Sequence, residues 1–277
     1  MPPRVRVEAT VDSVDSHEGD GVRATDYIVG PLASALDIML EFERGEPELR
    51  VSDLARRLGV TRNKAFRLVK TLESRGFLQR VGDHYRVGIR LLALGKLAAQ
   101  PIEVLQAAAH PEMEALAKET GETVYVLVPD GSEAVCVATI ESTHYLRISV
   151  AVGLRRPLHA GAGQKMLLAG FDDQRLAQVL KRMGPAFTES TITDRADLLR
   201  ELKEIRERGY SLSLGEVDSD AGAVAAPIYD YSGEMVAAIV VGGAMSRALN
   251  HLERDWTKLA VAAAGRISSR LGHEKKR

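Results

Sequence analysis

The chain opens on residues 1–28, where apolar positions are sparse and unperiodic, so a flexible tail is expected there. After Pro31 the pattern changes. Leu32, Leu36, Met39 and Leu40 recur at helical spacing and predict an apolar stripe, and Gly45 and Pro47 interrupt it. A second helix is expected over Asp53–Leu58, with Ser52 placed to cap its free amides and Asp53 favouring its positive end. Gly59 stops that helix. Thr61 suits the cap of the next, predicted from Arg62 to Arg75 and ended by Gly76. Phe77–Val81 and His84–Val87 then read as short strands about a Gly82-Asp83 turn. A helix over Ile89–Gln100 precedes Pro101. Its Leu91, Leu92, Leu94 and Leu97 exceed what one small neighbouring domain needs, which predicts a linker helix that also packs on a partner chain.

The remainder alternates. Glu112–Glu119 reads as helix, and Thr123–Val128 and Ala134–Ile140 as strands joined across Asp130-Gly131. Leu146–Val152 alternates like another strand. Helices are expected over Gln164–Ala169, Asp173–Arg182 and Arg195–Arg208, strands over Gly222–Tyr229 and Met235–Val241 around Ser232-Gly233, and a closing helix over Leu252–Leu271. No internal repeat is present. Hairpins mixed with helices predict an α+β domain on an antiparallel sheet. The expected organisation is a tail (1–28), a winged helix-turn-helix domain (29–88), a linker helix (89–105) and an effector-binding and oligomerisation domain (106–277).

Composition narrows the function. The chain has 277 residues, 45% hydrophobic and 27% charged, which suits folded domains with a sizeable core. Cys136 is the only cysteine, so an intrachain disulfide and a Cys/His zinc cluster are excluded. No apolar run approaches the roughly 18 residues of a spanning helix, and Arg4 and Arg6 have no apolar run behind them. The expectation is a cytoplasmic protein with no membrane partner and no cofactor. The net charge of −1 hides an asymmetry: residues 29–90 hold twelve basic and eight acidic side chains, and Arg56–Arg75 holds seven basic residues against Glu73 alone. Such a one-signed stripe is the footprint of nucleic-acid binding, because a solvated helix face usually mixes signs.

The helical angle sorts the Arg62–Arg75 segment into two sides. Ala65, Leu68, Val69 and Leu72 fall on one, able to pack on Leu54 and Leu58, while Arg62, Asn63, Phe66, Arg67 and Lys70 fall on the other. Two helices, a tight turn and a hairpin make the winged helix-turn-helix pattern, whose second helix enters the major groove of double-stranded DNA. Arg62 and Asn63 are candidates for base edges, and Arg67 and Lys70 for phosphates. Ser52, Thr61 and Lys64 flank this face. Arg56 and Arg57 on the preceding helix, and Arg80, His84 and Arg86 on the hairpin, are further backbone candidates. Phe66 is open to two readings, a thymine contact or a return to the edge of the core.

Several separated segments resemble the IclR family of bacterial transcriptional regulators: "SALDIMLEF" (Ser34–Phe42), "VSDLARRLGVTRNKAFRLVKTLESRGFL" (Val51–Leu78), "YRVGIRLLALG" (Tyr85–Gly95), "TGETVYVLV" (Thr120–Val128), "VGLRRPLHAGAGQKMLLA" (Val152–Ala169), "TITD" (Thr191–Asp194), "RERGYS" (Arg206–Ser211) and "AAPIYDYSGEMVAAIVVGG" (Ala225–Gly243). The resemblance covers about Gly30 to Gly265. It implies a GAF-like C-terminal domain that binds a small carboxylate or aromatic metabolite, homodimers that pair into tetramers, and binding to a promoter palindrome with the ligand altering transcription. It also implies that the amides of Ala162 and Gly163 hold the ligand's carboxylate, with Tyr145, Ile148, Arg156, Ser213, Ala221, Ala223 and Val240 around it. A helix N-terminus favours an anion on physical grounds as well. The chain departs from the family at Gln164, where glycine is common, at Asn63-Lys64 and Phe66, and in the apolar Ala223 and Val240, which predict a less polar pocket and a larger or more aromatic ligand.

The rival reading is an enzyme acting on a small metabolite in the C-terminal domain. Cys136 sits in an apolar run, and neither it nor His159 has the third group and local signature of a nucleophile and its base. His144 and His159 alone make a weak metal site, and "GAGQK" (Gly161–Lys165) lacks phosphate-loop spacing. The expectation is a regulator, without catalytic residues or metal.

Overall fold

A computed structural model describes residues 28–181 and 183–274. The tail expected over residues 1–28 therefore lies outside the described residues apart from Ile28, as does Arg182. The chain divides into two compact units after Ala99.

In the first unit, helix α1 (Gly30–Leu40) runs into a 3-10 turn (Glu41–Arg44). Helices α2 (Val51–Leu58) and α3 (Arg62–Ser74) follow, then strands β1 (Leu78–Val81) and β2 (His84–Val87), paired antiparallel. Leu49 bridges Tyr85 and adds a third edge to the hairpin. Gly59 turns the chain between α2 and α3 at φ 65°, a left-handed conformation that strains other residues. Ile38, Phe42, Leu49, Leu54, Val69, Leu78 and Tyr85 form the core. The helix expected around the stripe is present; Ile38 is buried and Met39 packs beside it, while Leu32, Leu36 and Leu40 are exposed. Their period is helical, yet among the described residues nothing covers them. A correction concerns Ser52. Helix α2 starts two residues earlier than expected, Arg50 takes the cap position without a side-chain cap, and Ser52 lies exposed within the first turn.

Helix α4 (Arg90–Thr120) passes Pro101 and Pro111 without a break, although two helices were expected. Proline forfeits one helical hydrogen bond. Past residue 100 that loss is outweighed by burial, because Leu105, Ala109, Met113 and Leu116 make a buried stripe across Pro111. Pro111 lies on the exposed side, as does Ala107, whose freed carbonyl water can reach.

The second unit is built on six antiparallel strands: β3 (Thr123–Asp130), β4 (Glu133–Ile140), β5 (Arg155–Pro157), β6 (Ser211–Leu214), β7 (Ala221–Tyr229) and β8 (Met235–Ala244), in the order β5-β4-β3-β8-β7-β6. Its central strands are apolar at nearly every position because both faces are covered. Val124, Val126, Val224, Ala226, Ile239 and Val241 pack with α4 and α9 (Thr257–Arg270). Tyr125, Leu127, Ala223, Ala225, Ala238 and Val240 pack with α5 (Ala162–Ala169), α6 (Asp173–Leu180) and α7 (Arg195–Arg208). The expected closing helix is three pieces, α8 (Met245–His251), a π-helical turn (Leu252–Trp256) and α9. The wider turn carries both Leu252 and Trp256 into the core.

Leu146–Val152, expected as a strand, has no regular structure. Its carbonyls are held from the side instead: the Thr123 hydroxyl donates to Ile148 O (2.6 Å) and Arg247 Nη2 donates to Leu146 O (2.9 Å).

Candidate nucleic-acid surface and ligand cavity

Helix α3 is capped by Thr61, whose hydroxyl accepts from the Lys64 amide at 3.3 Å. The cap fixes which residues lead the helix. Ala65 and Val69 point into the core with Leu68 and Leu72 beside them, while Arg62, Asn63, Lys64, Phe66, Arg67 and Lys70 are exposed. A concave groove gathers Ser52, Arg62, Asn63, Phe66, Lys70 and Arg80 between α2, α3 and the hairpin. Phe66, 48% exposed, lies on this groove rather than in the core.

The remaining basic residues differ in how free they are. Among the described residues, Arg62 and Arg67 have no acidic partner. Lys70 pairs with Glu73, Arg56 with Asp53 (3.1 Å), and His84 with Asp83 (2.7 Å), all at the surface, where such pairs are weak. Arg86 donates to the Gln79 side chain and Arg80 to Gly82 O. Arg57 is a correction. Its guanidinium is 20% exposed and held by Glu46 (2.6 Å) and Glu41 (3.7 Å), so it is engaged inside the unit. The hydrogen bond to Glu46 pushes its already high pKa further up. Arg50, which the sequence pattern did not single out, lines the groove and pairs with Asp83 at 3.0 Å.

The second unit holds a partly open cavity of about 260 Å³. Ile148, Arg156, Ala162, Ser213, Ala221 and Ala223 line it. Three others do not. Tyr145 is fully exposed and off the cavity. Gly163 and Val240 lie behind its wall: a Cβ on Gly163 would stand 2.6 Å from Leu127 Cδ1 and 2.7 Å from Val240 Cγ2. That closeness is what seats α5 on the sheet. Residues the sequence did not mark also line the cavity, notably Tyr125, Leu127, Leu146 and Val150, and Gln164, marked only as a departure from the family, lines it too. On the sheet side the wall is made small by Ala134, Ala221, Gly222, Ala223 and Ala244. The volume falls below the roughly 300 Å³ low end of drug-sized pockets, which limits the larger ligand suggested by the apolar substitutions to a small one.

Polar groups enter from three directions. Lys165 N donates to Gly161 O, which leaves the amides of Ala162, Gly163 and Gln164 at the helix start without backbone partners. Arg156 lines the cavity, stands over the Phe187 ring at 5.9 Å, and among the described residues has no carboxylate partner. Asp218 and Asp220 also reach the lining. The loop before α5 is fixed by a buried network. Lys165, 2% exposed, contacts Glu216 (2.5 Å) and Glu201 (3.2 Å), and the other Glu216 oxygen accepts from Gly161 N (3.1 Å). Thr191 donates to Glu216 O at 2.6 Å. On the far side Glu122, 1% exposed, accepts from Nε and Nη2 of Arg247, the residue that also holds Leu146 O.

Burial pushes the Cys136 thiol up to about 11, so it stays protonated and unreactive at neutral pH. Burial also lowers the His159 pKa. Among the described residues, no group of three or more His, Cys, Asp or Glu is placed to hold a metal ion, and no helix is long and apolar enough to cross a membrane.

Comparison with known proteins bears on both sites. Residues 31–82 match the model of the IclR helix-turn-helix domain, and residues 98–269 that of the bacterial transcriptional regulator IclR C-terminal domain. The chain is 31% identical over 230 residues to the HTH-type transcriptional regulator KipR of Bacillus subtilis, covering 82% of this chain and 92% of the relative. It is 28% identical over 249 residues to the transcriptional repressor IclR of Escherichia coli, covering 88% and 90%. A solved IclR homologue of Microbacterium hydrocarbonoxydans, in complex with 4-hydroxybenzoate, superimposes with a TM-score of 0.77 at 24% identity, covering 87% of this chain and 99% of that one.

Proposed function

The chain belongs to the IclR family of bacterial transcriptional regulators, and on that footing we propose how its two sites divide the work. It is a DNA-binding regulator, and α3 reads an operator in double-stranded promoter DNA, with Arg62 and Asn63 at base edges and Arg67, Lys70 and Arg80 on phosphates. The observation that carries this is the groove of α3 and the hairpin, where exposed donors converge and Arg62 stands without an acidic partner among the described residues.

The cavity of the second unit takes a small organic acid. Its carboxylate meets the unpaired amides at the start of α5 and the Arg156 guanidinium, and its body lies against Leu127, Ile148 and Val150. The ligand of the Microbacterium homologue is an acid of that size. Ligand binding alters operator occupancy rather than leading to turnover. The exposed Leu32, Leu36 and Leu40 of α1, with Leu92, Leu94 and Leu97 of α4, support a homodimer that reads two half-sites of a palindrome, and dimers pair into tetramers. The protein works in the cytoplasm.

Sequencing genomic fragments bound by the purified protein tests the first part. One or a few promoters should be enriched over random DNA, with affinity falling as salt rises; even recovery of all fragments rejects it. Incubation with a candidate acid separates a sensor from an enzyme: the sensor raises its melting temperature with the acid unconsumed.

A further inference from the structure

The groove beside α3 holds one side chain that charge does not explain. Arg62, Asn63, Lys70 and Arg80 bring donors to it. Two of its apolar residues belong to the core of the unit: Tyr85 is 4% exposed, and Val51 packs against the same cluster. Phe66 instead leaves 48% of its surface open, in the middle of the donor face. It follows Arg62 by four residues and Asn63 by three, and Lys70 follows it by four, so these side chains share one side of the helix. The fold does not need the ring there, since Ala65 and Val69 supply the buried contacts of α3 from its other side.

A phosphate offers a phenyl ring no partner, and the base edges of the major groove offer it one. Those edges display hydrogen-bond donors and acceptors, and the apolar group among them is the 5-methyl of thymine. A ring pressed on a donor or acceptor strips its water and returns no hydrogen bond, which is costly. Pressed on a methyl group, it buries apolar area on both partners, which is favourable. The ring therefore discriminates in two ways, for thymine and against the other edges. One turn of α-helix advances about 5.4 Å along its axis, which is one to two base steps of about 3.4 Å. Phe66 stands about one turn past Arg62 and Asn63, so the base beneath it adjoins those that they meet.

We propose that Phe66 reads the 5-methyl group of a thymine, one or two base steps from the bases met by Arg62 and Asn63 in each half-site. This rests on α3 as the reading helix and adds to it an apolar contact that fixes a T·A pair in the operator. The methyl group itself is what is read, so uracil, which pairs identically, does not replace thymine there.

Operator duplexes selected by the full-length protein from random-sequence DNA supply the probe. Each thymine of a half-site is replaced in turn by deoxyuridine, which removes the methyl and leaves every hydrogen-bonding group in place. Affinity is then read by fluorescence anisotropy at fixed salt. At one position per half-site the replacement should weaken binding about fourfold. Phe66→Ala should bind the thymine and deoxyuridine duplexes equally, whereas Arg62→Ala should keep the fourfold difference while relaxing preference at its own base. A general weakening of the DNA-binding unit would lower both affinities and leave the difference intact. Phe66→Gln, which keeps the bulk and removes the apolar ring, should also erase the difference and serves if the alanine variant does not fold. The proposal is overturned if no thymine responds to deoxyuridine. It is equally overturned if the responsive position keeps its response in the folded Phe66 variants, which would assign the methyl to another side chain. In both cases relaxed preference in Arg62→Ala leaves the α3 reading standing. If selection recovers no preferred sequence, the α3 reading fails and this proposal fails with it.

Discussion

The α3 surface and the α5 cavity use polar groups in opposite ways. On α3 the donors are exposed and outnumber their acidic partners. Beside the cavity the Lys165 charge is buried and answered by Glu216 and Glu201, while Arg156 on its wall has no carboxylate partner among the described residues. The contrast shows where each function draws its strength. DNA affinity comes from long-range charge that salt screens. Affinity for a small ligand in a cavity rests instead on short-range contacts, where each group matters more.

Changes that remove one charge on each side should separate the two regimes most clearly. Lys165→Met leaves Glu216 buried without its cation and should cost about 3–5 kcal/mol of stability, read as a fall in the denaturant midpoint. It should also release Gly161 and so abolish ligand binding. Arg62→Ala removes an equal charge at the surface. Stability should stay within about 0.5 kcal/mol, while specific operator affinity drops by about 1–3 kcal/mol with relaxed base preference. Lys70→Ala, by comparison, should weaken all sequences alike and flatten the salt dependence by about one unit of slope. If Arg62→Ala destabilised the fold as much as Lys165→Met, the division between open and answered charge would be wrong.

Packing supplies a third contrast. Gly163→Ala drives a methyl group toward Leu127 and Val240 and should cost about 1–3 kcal/mol, with ligand response lost through displacement of α5. A circular-dichroism melt and a titration on the same sample check both. The smallest effect concerns pH. Burial lowers the His159 pKa in the folded state, so below about pH 6.5 the unfolded chain binds the extra proton and stability falls. The denaturant midpoint should drop between pH 7.5 and pH 5.5, and His159→Gln should shrink that drop.

Much of the first unit was legible because its signals are local. Gly59, Thr61 and the two-sided pattern from Arg62 onward depend on neighbours three or four residues away. Arg57 could not be assigned that way, since its partner Glu46 lies eleven positions earlier beyond a turn. In the second unit the alternation of Leu146, Ile148 and Val150 is real, but these side chains line a cavity rather than a sheet face, and Thr123 and Arg247 replace the ladder. The stripe on α1 shows the converse: periodicity reports which residues share a face, and not what covers it, and Leu32, Leu36 and Leu40 stand exposed. Tyr125 was unreadable because a tyrosine in an apolar strand looks like core until the space beside it is seen. Gln164 was visible as a departure from the family pattern, and its place is on the cavity wall.

The alanine wall of the cavity has a further consequence, for how such regulators diverge. Ala134, Ala221, Ala223 and Ala244 bound the space with single methyl groups on stiff strands. Each can gain or lose bulk by one codon change without moving the backbone, and without touching the amides of α5 or the face of α3. A duplicated copy of the gene can therefore acquire a new inducer in a few mutational steps while still occupying its ancestral promoter, so what is sensed is free to drift faster than what is bound.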